Sequence, residues 1–214
     1  MELTAMESRR HRKTALFFDG EFALNIDTET LVKSGWRLGQ EISDEELHAL
    51  IEEGKEHQAS EKALYLLEHR SHSKKELTDK IARTVDRDAA QKAADHMEEL
   101  GLLDDRNFGI RYAKELFRKG YARRRVRLEL SRKGISQELI EMILEKHTPD
   151  SNEQIAKILQ KRYQNLDDEK IRRRAYAALQ RMGYETDEIR TALREAVNEE
   201  EIDGEFHRNG ESGL

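Results

Sequence analysis

No cysteine occurs among the 214 residues, which excludes disulfides, thiolate zinc sites and thiol nucleophiles and fits a reducing compartment. There is a single proline, Pro149, and aromatic residues make up only 6% of the chain. Charged residues reach 38%, against the roughly 25% usual for a globular domain, so the cores must be thin and the helices polar-faced. A sandwich, a barrel or a doubly wound sheet does not fit that balance. No apolar run approaches the roughly 18 residues of a membrane span, and Met1–Lys13 lacks the apolar stretch of a secretory signal. The chain therefore reads as cytoplasmic, with no membrane partner. Also missing are a Walker phosphate loop, a G-x-G-x-x-G after a strand, H-E-x-x-H and a G-x-S-x-G elbow; Gly35 and Gly39 lack a following Gly-Lys. Neither catalysis nor a cofactor is expected. An overall excess of positive charge is absent too, since the net charge of −6 argues against a general nucleic-acid binder.

Distribution says more than the sum. Between Arg106 and Lys133 stand eleven basic residues and two acidic ones; between Arg194 and Leu214 stand two basic and seven acidic. After Glu201 apolar periodicity is lost, so 199–214 is expected to be a disordered acidic tail, and 1–13 a disordered basic N-terminus. Apolar residues on either side of Asp19-Gly20 predict a β-hairpin closed by a type I′ turn, within an N-terminal unit at 14–57. Phe17, Phe22 and Ile26 are expected to pack on a short helix near Thr30 and on Trp36, because an isolated hairpin is marginal in water. Ser43-Asp-Glu-Glu46 reads as a capping box opening a helix that buries Leu47, Leu50 and Ile51.

Beyond about Gln58 a period of roughly 47 residues emerges. Second-helix starts fall at Ser73, Gly120 and Asp167, and third-helix starts at Asp86, Ser136 and Glu185. The joins Leu130-Ser-Arg-Lys-Gly134-Ile135 and Leu179-Gln-Arg-Met-Gly183-Tyr184 place glycine where a helix ends in the left-handed conformation. Ile81-Ala-Arg-Thr-Val85 lacks that glycine, so its turn should differ. The fold class expected is mainly α: an elongated array of three tandem three-helix repeats at 58–105, 106–148 and 149–198, after the small hairpin-and-helix unit. Each repeat is too small to be securely stable alone, so neighbours should support one another, and Pro149 marks the expected joint.

Arg118, Lys119, Arg123, Arg124, Arg125 and Arg127 straddle Gly120, with Arg132 and Lys133 beyond. Guanidinium forks suit phosphate or carboxylate, and cations at a helix start oppose the dipole by a few tenths to about 1 kcal/mol each. Helix stability does not explain them, although solvated arginine-rich faces are common. Arg172, Arg173 and Arg174 form a second cluster, with Lys161 and Arg162, tempered by Asp167, Asp168 and Glu169. Other candidates have bland readings: His69 and His72 flank serines at a helix end, Asp104-Asp105 suits capping, and most tyrosines fall at core spacing. Tyr121 is the tyrosine best placed to stack on a base.

Ala63-Leu-Tyr-Leu-Leu-Glu-His-Arg70, Ser73-Lys-Lys-Glu-Leu77, Leu100-Gly-Leu-Leu-Asp-Asp105 with Phe108, and Gly120 with Val126-Arg-Leu-Glu-Leu130 are a recognisable series. With Arg132-Lys-Gly-Ile135 and Leu179-Gln-Arg-Met-Gly-Tyr184, it resembles the RecX family of regulators of the RecA recombinase over about Gln58 to Val197. Phe17-Phe18-Asp-Gly-Glu-Phe-Ala23 is similar to the N-terminal extension of one branch of that family, while Thr84-Val85 departs from its usual basic residue and glycine. The resemblance implies a monomeric regulator without cofactor. Its partner would be the RecA–DNA filament, with single- or double-stranded DNA met weakly or through the filament. It further implies modulation, mostly inhibition, of recombination, ATP hydrolysis and co-protease activity.

Overall fold

The computed structural model describes residues 1–197; the acidic tail expected at 199–214 lies outside the described residues. The chain folds as two units, Met1–Asp105 and Arg106–Leu214.

The first unit opens with a three-stranded antiparallel sheet, β1 (Leu3–Arg9), β2 (Lys13–Phe18) and β3 (Glu21–Asp27), with β2 in the middle. Asp19 and Gly20 take φ of 50° and 85°, as a type I′ turn requires. The strand β1 corrects the reading of 1–13 as disordered. Its backbone pairs with β2, Leu3 opposite Phe18 and Arg9 opposite Lys13, while Leu3 is its only fully buried side chain. A strand held mainly through its backbone leaves little hydrophobic period to read. The inward face of the hairpin also differs. Leu16, Phe18 and Ile26 join Leu3, Leu31, Ile42 and Leu50, with Trp36 against them. Phe17 and Phe22 meet each other instead, ring centroids 5.7 Å apart, and Phe22 is 54% exposed. Alternation along a strand forces this: with Leu16 and Phe18 facing inward, Phe17 must face the other way.

Asp27 caps the short helix α1 (Thr28–Ser34). The helix α2 (Asp44–His69) starts in the expected capping box, Glu46 N–H donating to Ser43 Oγ at 3.1 Å and Ser43 N–H to Glu46 Oε2 at 2.8 Å. It runs unbroken for 26 residues, so the boundary drawn at 57/58 falls inside a helix. Its first half sets Leu50 in the core against the sheet, and its second half sets Ala59 and Ala63 against α3 (Lys74–Ile81) and α4 (Arg87–Glu99). Helical periodicity passes through that change of partner without a mark. Ala89, Ala90, Ala93 and Ala94 dominate the facing side of α4, and such small residues bring helix axes toward the short end of the usual 8–10 Å. Ser73 and Asp86 cap as expected, accepting from Glu76 and Ala89 N–H. Without glycine, α3 ends right-handed at Ala82, and Thr84 Oγ1 donates to Ile81 O.

The second unit holds two three-helix repeats. The helices α5 (Asp105–Arg118), α6 (Arg123–Arg132) and α7 (Gln137–His147) enclose Phe108, Leu116, Phe117, Val126, Leu130 and Ile143. The helices α8 (Ser151–Arg162), α9 (Glu169–Met182) and α10 (described over 186–197) enclose Ile155, Leu159, Ala175, Leu179 and Ile189. Gly134 and Gly183 take φ of 81° and 96° at the joins where sequence places them. Pro149 is no loose joint, because the two repeats are bonded together around it. Ala122, the residue before α6, sits in the core of the third repeat and donates its N–H to Met182 O at 3.0 Å. Gln154 Nε2 donates to Phe117 O at 2.6 Å, and Tyr184 Oη donates to Gln154 Oε1 at 2.9 Å. The chain divides instead between Asp105 and Arg106. Among the described residues, no helix is long and apolar enough to cross a membrane and no group of His, Asp or Glu is placed to hold a metal ion.

Candidate anion-binding surface of the second unit

The helix α5 ends in Arg118 and Lys119, Gly120 reverses the chain with φ of 88°, and α6 begins at Ala122 without a side-chain cap. The first turn of α6 contains Arg123, Arg124 and Arg125 and no acidic residue. Positive charge thus stands at the positive end of a helix dipole, an arrangement that costs local stability and must be compensated elsewhere. Part of the compensation is the α9 terminus. Met182 O accepts from Ala122, and Gly183 packs on Arg125 so closely that a Cβ there would lie 3.1 Å from the Arg125 backbone nitrogen.

Side-chain carboxylates supply more. Glu141 takes a two-pronged contact from Arg127, Nε to Oε1 at 2.9 Å and Nη2 to Oε2 at 2.8 Å, with Arg123 Nη2 at 3.5 Å. The hydrogen bond from Arg127 leads in holding the Glu141 carboxyl below the usual range. Glu129 pairs with Arg125 at 2.8 Å and Arg132 at 3.1 Å. Arg124 reaches Glu185 only at 3.6 Å. Lys119 Nζ lies 2.6 Å from Glu115, and their hydrogen bond raises the lysine's pKa and lowers the glutamate's. Lys133 lies over the Tyr112 ring at 5.6 Å. Arg118 forms no ion pair among the described residues. These are surface pairs, screened by water and salt, so an incoming anion can take over an arginine at little cost.

Between α6 and the end of α9 lies a cleft of about 530 Å³. Arg124, Arg125, Arg127 and Arg181 line it, with Leu128, Ser131, Gln137, Gln180 and Gly183. Four guanidinium groups, two carboxamides and one exposed leucine suit an extended anionic surface better than a small apolar ligand. Sequence reasoning found three of the four arginines and missed Arg181. That residue stands inside the Leu179–Tyr184 pattern, which was read only for its glycine. Arg118, Lys119, Arg123, Arg132 and Lys133 do not line the cleft.

The second cluster divides. Arg172 and Arg173 line a different cleft, between α9 and α10, together with Arg190 and Arg194; Arg174 does not. Arg190 and Arg194 were also missed, although their spacing of four residues places them on one helix face. Tyr121 is half-buried with Arg125 over its ring at 5.9 Å, so that face is occupied. His72 is a buried structural residue, Nδ1 2.9 Å from Arg70 O and Nε2 3.0 Å from Lys80 Nζ. Burial, then the charges of Arg70 and Lys80, push its pKa down, so it acts as neutral imidazole that donates through Nδ1 and accepts through Nε2. Asp105 caps a helix other than its own, accepting from the Lys74 N–H of α3 at 2.7 Å.

Comparison with known proteins agrees with this architecture. The family model for the RecX second three-helix domain matches residues 104–144, and that for the RecX third three-helix domain matches 150–193. The regulatory protein RecX of Xanthomonas axonopodis pv. citri is 35% identical over 143 residues, 65% of this chain and 88% of the relative. That of Clostridium botulinum strain Eklund 17B is 27% identical over 205 residues, 92% of this chain and 96% of the relative. A crystal structure of regulatory protein RecX superposes with a TM-score of 0.61 at 17% identity, over 89% of this chain and 98% of that one, which establishes likeness of fold.

Proposed function

Because the chain belongs to the RecX family of regulatory proteins, we propose that it binds RecA–DNA filaments and modulates, mostly by inhibition, their recombinase, ATPase and co-protease activities. It acts as a cytoplasmic monomer, by binding rather than by catalysis, in recombination, DNA repair and the SOS response. The observation that carries this reading is the cleft bounded by Arg124, Arg125, Arg127 and Arg181, built jointly by the two domains that match the family. A filament offers carboxylates on protein and phosphates on DNA, and a guanidinium fork binds either one through two parallel hydrogen bonds. Because α6 and α9 are joined through Ala122 and Met182, the four groups reach the partner already positioned, which lowers the ordering cost of association.

The test titrates the protein into RecA on single-stranded DNA while ATP hydrolysis and filament length are read together. Arg124→Glu with Arg181→Glu is the informative variant, since Arg125 is packed under Gly183 and its loss would disturb the fold. Inhibition should fall at least tenfold in potency with helical content unchanged; full potency in the variant rules out this cleft. A second reading, direct action on DNA without a recombinase, predicts tight binding to bare DNA with a steep salt slope.

A further inference from the structure

The first unit carries a surface of the opposite chemistry. A groove of about 640 Å³ runs beside the second half of α2, lined by Glu61, Leu64, Tyr65, Leu67, Glu68 and Leu102. Glu61, Leu64, Tyr65 and Glu68 fall three, four and three residues apart, so they share one face of the helix over roughly 10 Å. That face presents two apolar side chains with a carboxylate one turn to either side. Leu102 enters from the end of α4, its N–H donating to Met97 O at 2.9 Å. A residue so bonded beyond a helix end commonly packs back on its helix, yet Leu102 is 51% exposed, with Leu64 at 49% and Tyr65 at 55%. Of the apolar lining residues only Leu67 packs against the core of this repeat, so folding does not account for the other three. Scattered exposed leucines are ordinary, but three large apolar groups around one groove mark an interaction surface.

The charges decide what can lie there. Among the described residues no Lys or Arg lines the groove, so a phosphate backbone would meet two carboxylates and no cation. Glu61 is reached by the exposed Arg12 guanidinium at 3.3 Å, and Glu68 forms no ion pair among the described residues. Lys62 is engaged 5.2 Å over the Tyr65 ring, and the His69 ring is centred 4.4 Å from it, which fixes the tyrosine. Because the wall is a helix whose backbone is already bonded, an extended strand would gain no backbone pairing, and recognition must come from side chains. We infer that the groove docks a short basic amphipathic helix on the protein component of the filament. Its large apolar side chains sit between Leu64, Tyr65 and Leu102, and a lysine or arginine one turn away meets Glu68. The inference rests on the proposed filament binding and adds a division of labour to it. The arginine cleft of the second unit takes carboxylate or phosphate, whereas the acidic groove of the first takes protein alone.

The full chain is sedimented with RecA filaments assembled on single-stranded DNA, and its binding to the same DNA without RecA is measured beside it. Leu64→Gln with Leu102→Gln removes the apolar contacts without changing charge. It should weaken filament binding at least about tenfold, the loss expected where buried apolar anchors are truncated, with bare-DNA binding and helical content unchanged. Glu68→Lys should also weaken filament binding, several-fold at low salt, whereas a groove facing DNA would bind more tightly once a cation replaced the carboxylate. Filament binding as strong as the parent's in the double variant, or unchanged or tighter in Glu68→Lys, would overturn the inference. So would a dimer of the parent that the double variant abolishes, since a second copy would then be the occupant. Should the double variant lose helical signal, the sign of the Glu68→Lys effect decides alone. Failure of the parent chain to sediment with filaments would instead refute the proposed function, and the groove's partner with it.

Discussion

Gly183→Ala puts the joining of the second and third repeats to a quantitative test. Gly183 ends α9 with φ of 96°, and an added Cβ would lie 2.9 Å from Arg125 Cβ and 3.1 Å from Arg125 N. Holding a non-glycine residue in a left-handed conformation costs about 1–2 kcal/mol. Overpacking adds about 1–3 kcal/mol, and toward its upper end here because the obstacle includes backbone that cannot rotate away. The sum, about 2–5 kcal/mol, is a large fraction of the stability of a unit this size. Gly101→Ala is the reference: Gly101 has φ of 71° but nothing within 4 Å of its would-be Cβ, so only the conformational cost applies. Urea unfolding can be followed by two probes, since the single tryptophan, Trp36, reports the first unit alone while far-UV circular dichroism reports helices in both. At slopes of about 1–2 kcal/mol per molar urea, Gly183→Ala should move the circular dichroism transition of the second unit down by roughly 1–5 M and leave the tryptophan transition in place. If its loss were no greater than that of Gly101→Ala, the close contact between the end of α9 and the start of α6 would be refuted.

Other consequences follow from single residues. The first unit should lose stability as pH falls below about 6.5, the ordinary histidine value, because the folded pKa of His72 is depressed and the unfolded chain takes up the proton first. Above that value the contribution is complete; His72→Gln should flatten the dependence in Trp36-detected unfolding at pH 7.5 and 5.5, and an unchanged slope would count against the assignment. Glu141→Gln removes the carboxylate shared by Arg127 and Arg123 and should tighten binding to fluorescently labelled single-stranded DNA. Its salt slope should steepen by up to about 1.4, at 0.7 for each released arginine that reaches a phosphate. Ser43→Ala breaks the capping box of α2 and should cost about 1 kcal/mol in the same tryptophan-detected unfolding; a loss below a few tenths would mean the cap is redundant.

The pairing of the central arginines changes how their function is understood. Arg123, Arg125, Arg127 and Arg132 share two carboxylates, Glu141 and Glu129, so the cluster presents less free charge than its composition suggests. Partial neutralisation still leaves a usable surface. Under the proposed function, the pairs hold the guanidinium groups in place in the free protein, so that a partner's anions would replace existing pairs without having to order long side chains from solution.

Local chemistry was enough to specify much of this protein in advance. Helix starts at Ser43, Ser73, Asp86 and Ser136, the turn at Asp19-Gly20 and the left-handed ends at Gly134 and Gly183 each depend on a few consecutive residues, so their signals lie in the chain itself. The threefold recurrence and its family likeness were legible for the same reason. What depends on distant residues was not. The pairing of β1 runs through backbone, the change of partner along α2 keeps one period, and the bonds from Ala122 to Met182 and from Gln154 to Phe117 join segments far apart in sequence. The same holds for Arg181 beside Arg124 and for Arg190 beside Arg172: composition counted every charge, but only packing decided which charges meet, because a cleft is made by surfaces that the chain order keeps apart.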